Sequence, residues 1–138
     1  MRSARAASIV TWVYALGFGL ATVPVSIYLL RTGQLPNFFG LFEMFGGPWS
    51  ASTSDRIFVG LLLLFGAMTL VAGCSAWMLW QGRRMGAVLN LAVLPVEVVF
   101  WIGFALPLPW ATGLARVILI AVAWNSLSKS GHQAQLAP

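Results

Sequence analysis

Charged residues are scarce in this sequence of 138 residues, and their scarcity excludes an ordinary water-soluble fold. Only 8% of the residues are Asp, Glu, Lys or Arg, whereas 59% are hydrophobic. A soluble domain carries about 25% charged residues, because its surface must be hydrated. Eight basic and three acidic side chains cannot cover a chain of this length, so most of its surface is expected to face lipid.

Cysteine and histidine are almost missing, with Cys74 and His132 as the single examples. One cysteine cannot form an internal disulfide or a CxxC motif, and we interpret it as a small packing residue. No HExxH, GxSxG or P-loop pattern is present. We therefore expect no metal ion and no cofactor. We favour a non-enzymatic protein, since an enzyme such as a lipid isomerase would have to act through Glu97, Arg116 and hydroxyl groups.

A nucleic-acid partner is not expected, although the net charge is +5. The basic residues form neither a patch nor a helical stripe, which nucleic-acid binding requires. They lie mostly at the ends of apolar runs. This placement is typical of the loops that flank membrane spans.

Four apolar runs are long enough to cross a hydrocarbon core, which needs ~20 helical residues. They cover residues 6–30, 57–81, 85–105 and 110–127. The first run is longer than the apolar core of a signal peptide, so we expect an uncleaved helix. The predicted fold is all-α, an integral membrane four-helix bundle. We expect residues 1–138 to form a single transmembrane domain, with an outer loop at 31–56 and a polar tail at 128–138.

The distribution of charge predicts the orientation in the cell membrane. The side that collects most positive charge would carry Arg2, Arg5, Arg83, Arg84 and Lys129. The other side would carry Arg31 and Arg56 together with Glu43 and Asp55. Because cytoplasmic loops are enriched in Lys and Arg, both termini are predicted to be cytoplasmic.

The connections between the runs differ in length and composition. Residues 81–84 and 106–109 form tight turns, which make spans two and three, and spans three and four, antiparallel neighbours. The connection at 31–56 is long and contains repeated Phe and Gly. We expect it to lie on the membrane interface as a short helix or to fold back over the bundle.

Small residues recur at helical spacing in the first two spans. The stripes comprise Thr11, Ala15, Gly19, Thr22 and Ser26 in the first span, and Gly66, Thr69, Gly73 and Ala76 in the second. Membrane helices associate through close packing of small residues and through hydrogen bonds, because lipid offers no hydrophobic drive. The stripes therefore predict that these spans have packed faces.

Two charged residues lie inside the last two spans. Glu97 is eight residues before the end of the third span at Ala105, or ~12 Å deep at 1.5 Å per residue. Arg116 is six residues after the start of the fourth span at Trp110, or ~9 Å deep. The tight turn between these spans brings the two depths together, so we predict a Glu97–Arg116 ion pair.

Further side chains extend this predicted site along both helices. Asn90 and Trp101 lie seven residues before and four after Glu97, on one helical face. Thr112 lies four residues before Arg116 on the other helix. The predicted site is a polar seam, either an ion pair that fixes helix register or a ligand site. In the second reading Glu97 exchanges a proton, or Arg116 holds an anionic headgroup or substrate.

Two functions follow from these alternatives. The first is a small polytopic protein that acts by helix association, as a homo-oligomer or as an accessory subunit of a membrane complex. The second is binding or transport of a small lipophilic or anionic ligand through Glu97 and Arg116. The size, the small-residue stripes and the missing catalytic patterns favour the first.

Overall fold

The computed structural model of this protein describes residues 2–127 and is mostly helical. The helices are α1 (Arg2–Tyr14), a π-helical turn (Ala15–Gly19), α2 (Leu20–Thr32), α3 (Pro48–Ser52), α4 (Asp55–Trp80), α5 (Arg84–Gly103), α6 (Leu108–Ala123) and a 3₁₀ turn (Trp124–Ser126). Two short strands, β1 (Asn37–Phe38) and β2 (Phe42–Glu43), form an antiparallel hairpin between α2 and α3. The predicted polar tail at 128–138 lies outside the described residues.

Four helical segments are long and apolar enough to cross a membrane. They are Arg2–Thr32, Asp55–Trp80, Arg84–Gly103 and Leu108–Ser126. A helical fold with four candidate spans is therefore confirmed. The first helix starts earlier than its apolar run, because the helix continues through the basic residues that precede it. The last starts two residues early, since Pro109 is tolerated in the first turn of a helix.

The ends of two helices depend on glycines in the left-handed region. Gly33, at φ 67°, ends α2 and donates its N–H to the Leu29 carbonyl over 2.8 Å. Gly82, at φ 75°, ends α4 and lets the Arg83 N–H reach the Met78 carbonyl at 3.0 Å. Residues other than glycine are disfavoured at such φ values. The second of these turns places α4 and α5 side by side.

The two small-residue stripes lie against each other. A Cβ atom added to Gly66 would be 2.7 Å from Thr22 Oγ1, and one added to Gly19 would overlap the Thr69 side chain. Each glycine thus contacts a threonine of the other span. This contact brings α4 close to Arg2–Thr32, the continuous segment of α1, the π-helical turn and α2 that we call the first rod. Each threonine hydroxyl donates within its own helix, to the carbonyls of Gly19 and Gly66 respectively.

The last helix packs mainly on the first span. The short turn makes α5 and α6 neighbours, as expected, but α6 lies mainly against α1 and has fewer contacts with α5. The Trp101 indole separates the two helices, since a Cβ on Gly113 would be 2.6 Å from this ring. The indole acts as a wedge, and the gap it creates is bridged by longer polar side chains.

The long loop folds back into the bundle. Phe45 is buried, and its ring lies 6.1 Å from that of Phe65 and 5.5 Å from that of Phe104. The ring of Phe45 thus contacts the side chain of a residue ten positions into α4. Trp49, from α3, packs directly on Gly103. The tip of the hairpin remains outside, with Phe39 87% exposed.

Candidate functional site

Glu97 and Arg116 meet in the interior of the bundle. Arg116 Nη1 donates to Glu97 Oε2 over 2.8 Å, and both side chains are fully buried. The pair spans the gap that Trp101 opens between α5 and α6. Arginine suits this position because its long side chain crosses the gap and its guanidinium carries donors on several edges.

Asn90 extends the ion pair to two more helices. Its Oδ1 accepts a hydrogen bond from Arg116 Nε at 2.9 Å. Its Nδ2 donates to Ser75 Oγ at 2.9 Å and to Thr11 Oγ1 at 3.2 Å. These two hydroxyls can accept, because each donates its own proton to a carbonyl of its helix, at Ala72 or Ala7. One asparagine thus connects side chains of α1, α4, α5 and α6.

A tyrosine from the first span covers the charges. The Tyr14 ring lies 5.2 Å from the Arg116 guanidinium carbon, which is within cation–π range. Trp101 Nε1 donates to the Tyr14 hydroxyl over 2.9 Å, and this hydroxyl lies beside the Glu97 carboxylate. Tyr14 is therefore in contact with the cation, the anion and the indole wedge.

The pairing leaves two polar atoms without partners. Within residues 2–127, neither Glu97 Oε1 nor Arg116 Nη2 has a hydrogen-bond partner, and both atoms are buried. Leaving a buried polar group unsatisfied costs about 1–3 kcal/mol, and more when it is charged. Arg116 Nη2 is thus a free donor, whereas the Glu97 carboxylate has the Tyr14 hydroxyl beside it.

Thr112 is not part of this network. Its hydroxyl donates to the Pro109 carbonyl of the same helix at 2.9 Å, and the residue is half-buried. The helical spacing places it on the side of Arg116, one turn nearer the helix start. The other predicted site residues, Asn90, Glu97, Trp101 and Arg116, are brought together.

Sequence reasoning missed Tyr14 and Ser75, and it assigned Thr11 to helix packing alone. The available signal is weak: Tyr14 follows Thr11 by three residues, so both share one face of α1. A hydroxyl in an apolar helix usually bonds its own backbone, and spacing alone does not reveal a second partner.

Two cavities lie elsewhere in the part of the chain that the structure describes. An open groove of about 770 Å³ runs between the first rod and α4, and its lining is mainly apolar. A polar cavity of about 570 Å³ lies under the loop and is lined in part by Glu43 and Asp55. Neither of these two cavities is lined by Glu97 or Arg116. Within residues 2–127, no group of three or more metal-ligating side chains is present.

The fold and the site together define a helical protein with four candidate membrane spans and a buried polar network across all four. No known protein family, curated protein or solved structure matches the chain.

Proposed function

We propose that this chain is a multi-pass membrane protein that acts by helix association, as a homo-oligomer or as an accessory subunit of a membrane complex. One observation carries the proposal: the charged groups are engaged inside the bundle, whereas the open groove between spans one and two is apolar. A surface of this kind recognises other membrane helices by shape rather than by charge.

The internal network supports a structural role for the ion pair. Arg116 contacts Glu97, Asn90 and Tyr14, so its charge is compensated within the subunit. Breaking a buried pair by removing one partner typically costs 3–5 kcal/mol. The pair thus fixes how α5 and α6 sit relative to each other while the outer faces remain free for partners.

The groove has the composition that membrane helices use for packing. Its floor contains small side chains, and its rims carry large apolar side chains that are exposed. The floor residues include Ala15, Ala67 and Gly73, beside Gly19 and Gly66, which already contact threonines within the subunit. Small residues let a second backbone approach closely, and van der Waals contact then drives association in lipid.

We further propose that the chain lies in the cell membrane with both termini in the cytoplasm. At the end that holds the α4–α5 turn, the Arg5 guanidinium carbon lies 5.3 Å from the Trp80 ring and that of Arg84 lies 5.0 Å from the Trp124 ring. Arginine beside tryptophan suits the headgroup level, where the ring is in apolar surroundings and the charge is hydrated.

Counting subunits in lipid tests the proposal. The full chain, fused to a fluorescent protein and reconstituted at low density in lipid nanodiscs from native membranes, should show two or more bleaching steps, or a co-purified membrane protein at fixed stoichiometry. A single step with no co-purified protein would contradict association. A monomeric membrane protein of known copy number, carried through the same extraction, provides the control.

The two unpartnered atoms favour a second candidate function, binding or transport through the same network. Glu97 Oε1 and Arg116 Nη2 retain one acceptor and one donor that a small polar ligand or a proton could use. The test is proton uptake into dye-loaded liposomes under a potassium diffusion potential. This candidate predicts uptake by the native chain, its loss in Glu97→Gln with unchanged unfolding behaviour, and its retention in Glu43→Gln. An uptake rate equal to that of empty liposomes would contradict it.

A further inference from the structure

We infer that the partner in the groove is a second copy of this chain, packed along an exposed seam of α4 that places Cys74 beside its counterpart. This inference rests on the proposed function and names the partner.

The seam is a regular series on the outer face of α4. Its members are Leu63, Ala67, Leu70, Cys74 and Trp77, and all five are exposed. Their spacing of four, three, four and three residues is the a/d pattern of helices that cross at a small left-handed angle. The opposite face of α4 is already buried against the rest of the bundle. The helix thus carries a second, exposed face, on which Trp77 contacts the Trp12 ring of α1 at 6.2 Å between centroids.

The groove lies alongside this seam and has room for a helix. A Cβ added to Gly73 would have no atom within 4 Å, in contrast to Gly19 and Gly66, whose surfaces are already in contact with threonines. Ala67 and Cys74 present small side chains to the same space. A partner helix could therefore approach the α4 backbone closely at this level.

The exposed area matches what a stable dimer needs. Six large rim side chains are between 51% and 72% exposed: Leu16, Leu20, Val23, Leu63, Leu70 and Trp77. With whole side-chain areas of ~150–250 Å² each, they present roughly 700 Å², close to the ~800 Å² per partner of a standard stable interface. A single acyl chain would cover only part of this area, and its binding would not depend on heptad spacing of the side chains.

Membrane insertion sets the direction of the second copy. Copies that insert with the same topology can be related only by an axis along the membrane normal, so their α4 helices run parallel. Identical residues then lie at identical depth, and a seam residue faces its own counterpart. No charged residue lies between Arg56 and Arg83, so parallel α4 helices meet without like-charge repulsion.

The single cysteine of this chain provides the test, since a disulfide needs Cα atoms within about 4.4–6.8 Å. Membranes containing the native chain are treated with copper phenanthroline and resolved on a non-reducing gel. A covalent dimer is expected from Cys74, and Cys74→Ala should abolish it.

Adjacent positions of α4 give a matched control. Leu63 and Leu64 are 51% and 53% exposed, but only Leu63 lies on the seam. In a Cys74→Ala background, Leu63→Cys should cross-link at least tenfold more than Leu64→Cys. Ala67→Phe, which adds bulk at a lipid-exposed position, should lower the cross-linked fraction of Cys74 by at least tenfold.

The outcomes separate the inference from the proposed function. If Cys74 and Leu63→Cys fail to cross-link while a different membrane protein co-purifies, helix association stands and the homodimer is wrong. If neither position cross-links and native mass spectrometry shows only lipid on a monomer, both are wrong. Equal cross-linking from Leu63→Cys and Leu64→Cys would show random collision and would overturn the seam.

Discussion

Removing the two buried charges singly and together gives the clearest prediction for this fold. The changes are Glu97→Leu, Arg116→Leu and the double variant. The groups are 2.8 Å apart and fully buried, so each single change leaves an uncompensated charge in the interior. We expect each to lower the free energy of unfolding by about 3–5 kcal/mol.

The double variant should recover most of that loss. It removes both charges but leaves Asn90 Oδ1 without the donor it receives from Arg116 Nε. An orphaned buried acceptor costs about 1–3 kcal/mol, so the double variant should remain that far below the native chain. The two single effects are then non-additive by at least about 3 kcal/mol, which is large for a double-mutant cycle.

Reversible unfolding by SDS in mixed micelles, followed by far-ultraviolet circular dichroism, measures these differences. Glu43→Leu and Arg31→Leu make the same chemical changes at exposed positions and should each alter stability by less than about 0.5 kcal/mol. A double variant whose loss equals the sum of the single losses would refute the reasoning, because the two side chains would then act independently.

Three further predictions use the same unfolding assay. Asn90→Leu should cost about 2–4 kcal/mol because it removes an acceptor from a buried guanidinium and two donors from hydroxyls; a loss below about 1 kcal/mol would contradict the network. Gly86→Ala should cost about 1–3 kcal/mol, because its Cβ would be 2.6 Å from the Leu79 backbone nitrogen. The control Gly60→Ala meets no atom within 4 Å and should stabilise the protein by up to about 1 kcal/mol. Equal effects of the two changes on stability would be inconsistent with this packing. Trp101→Phe should cost at least about 1 kcal/mol through the lost hydrogen bond to Tyr14, and an unchanged midpoint would argue against that bond.

Counting residues from the ends of the spans predicts that Glu97 and Arg116 lie at similar depth in the membrane. This works because helical rise is constant and because a tight turn fixes the relative height of two spans. The identity of four helices able to cross a membrane follows equally directly from apolar length.

Lateral packing could not be predicted in the same way. The short turn predicts that α5 and α6 are neighbours, but it does not reveal that the Trp101 indole packs between them on Gly113 or that α6 lies mainly on α1. Such a wedge depends on which side chains face each other across two helices. Sequence spacing describes one helix at a time. It therefore places Thr112 near the Glu97–Arg116 site and does not reveal that Tyr14 covers the ion pair.

The hairpin between α2 and α3 is a second feature that the sequence does not predict. The long loop is expected to form a short helix or to fold back, and the structure contains α3, a buried Phe45 and also a two-stranded hairpin. Phe39 adopts φ 51°, a region that non-glycine residues rarely occupy. Turn propensities therefore disfavour this hairpin, and it forms where the segments on either side are held by the bundle.

The central claim is that lipid surrounds these four helices, with both ends of the chain on the cytoplasmic side. Labelling with a membrane-impermeant maleimide tests it most directly, using single cysteines in a Cys74→Ala background on intact cells. Ser54→Cys, before α4, should label in intact cells, whereas Gln81→Cys, after α4, should label only after permeabilisation. Labelling of both positions in intact cells, or of Gln81→Cys alone, would contradict the account.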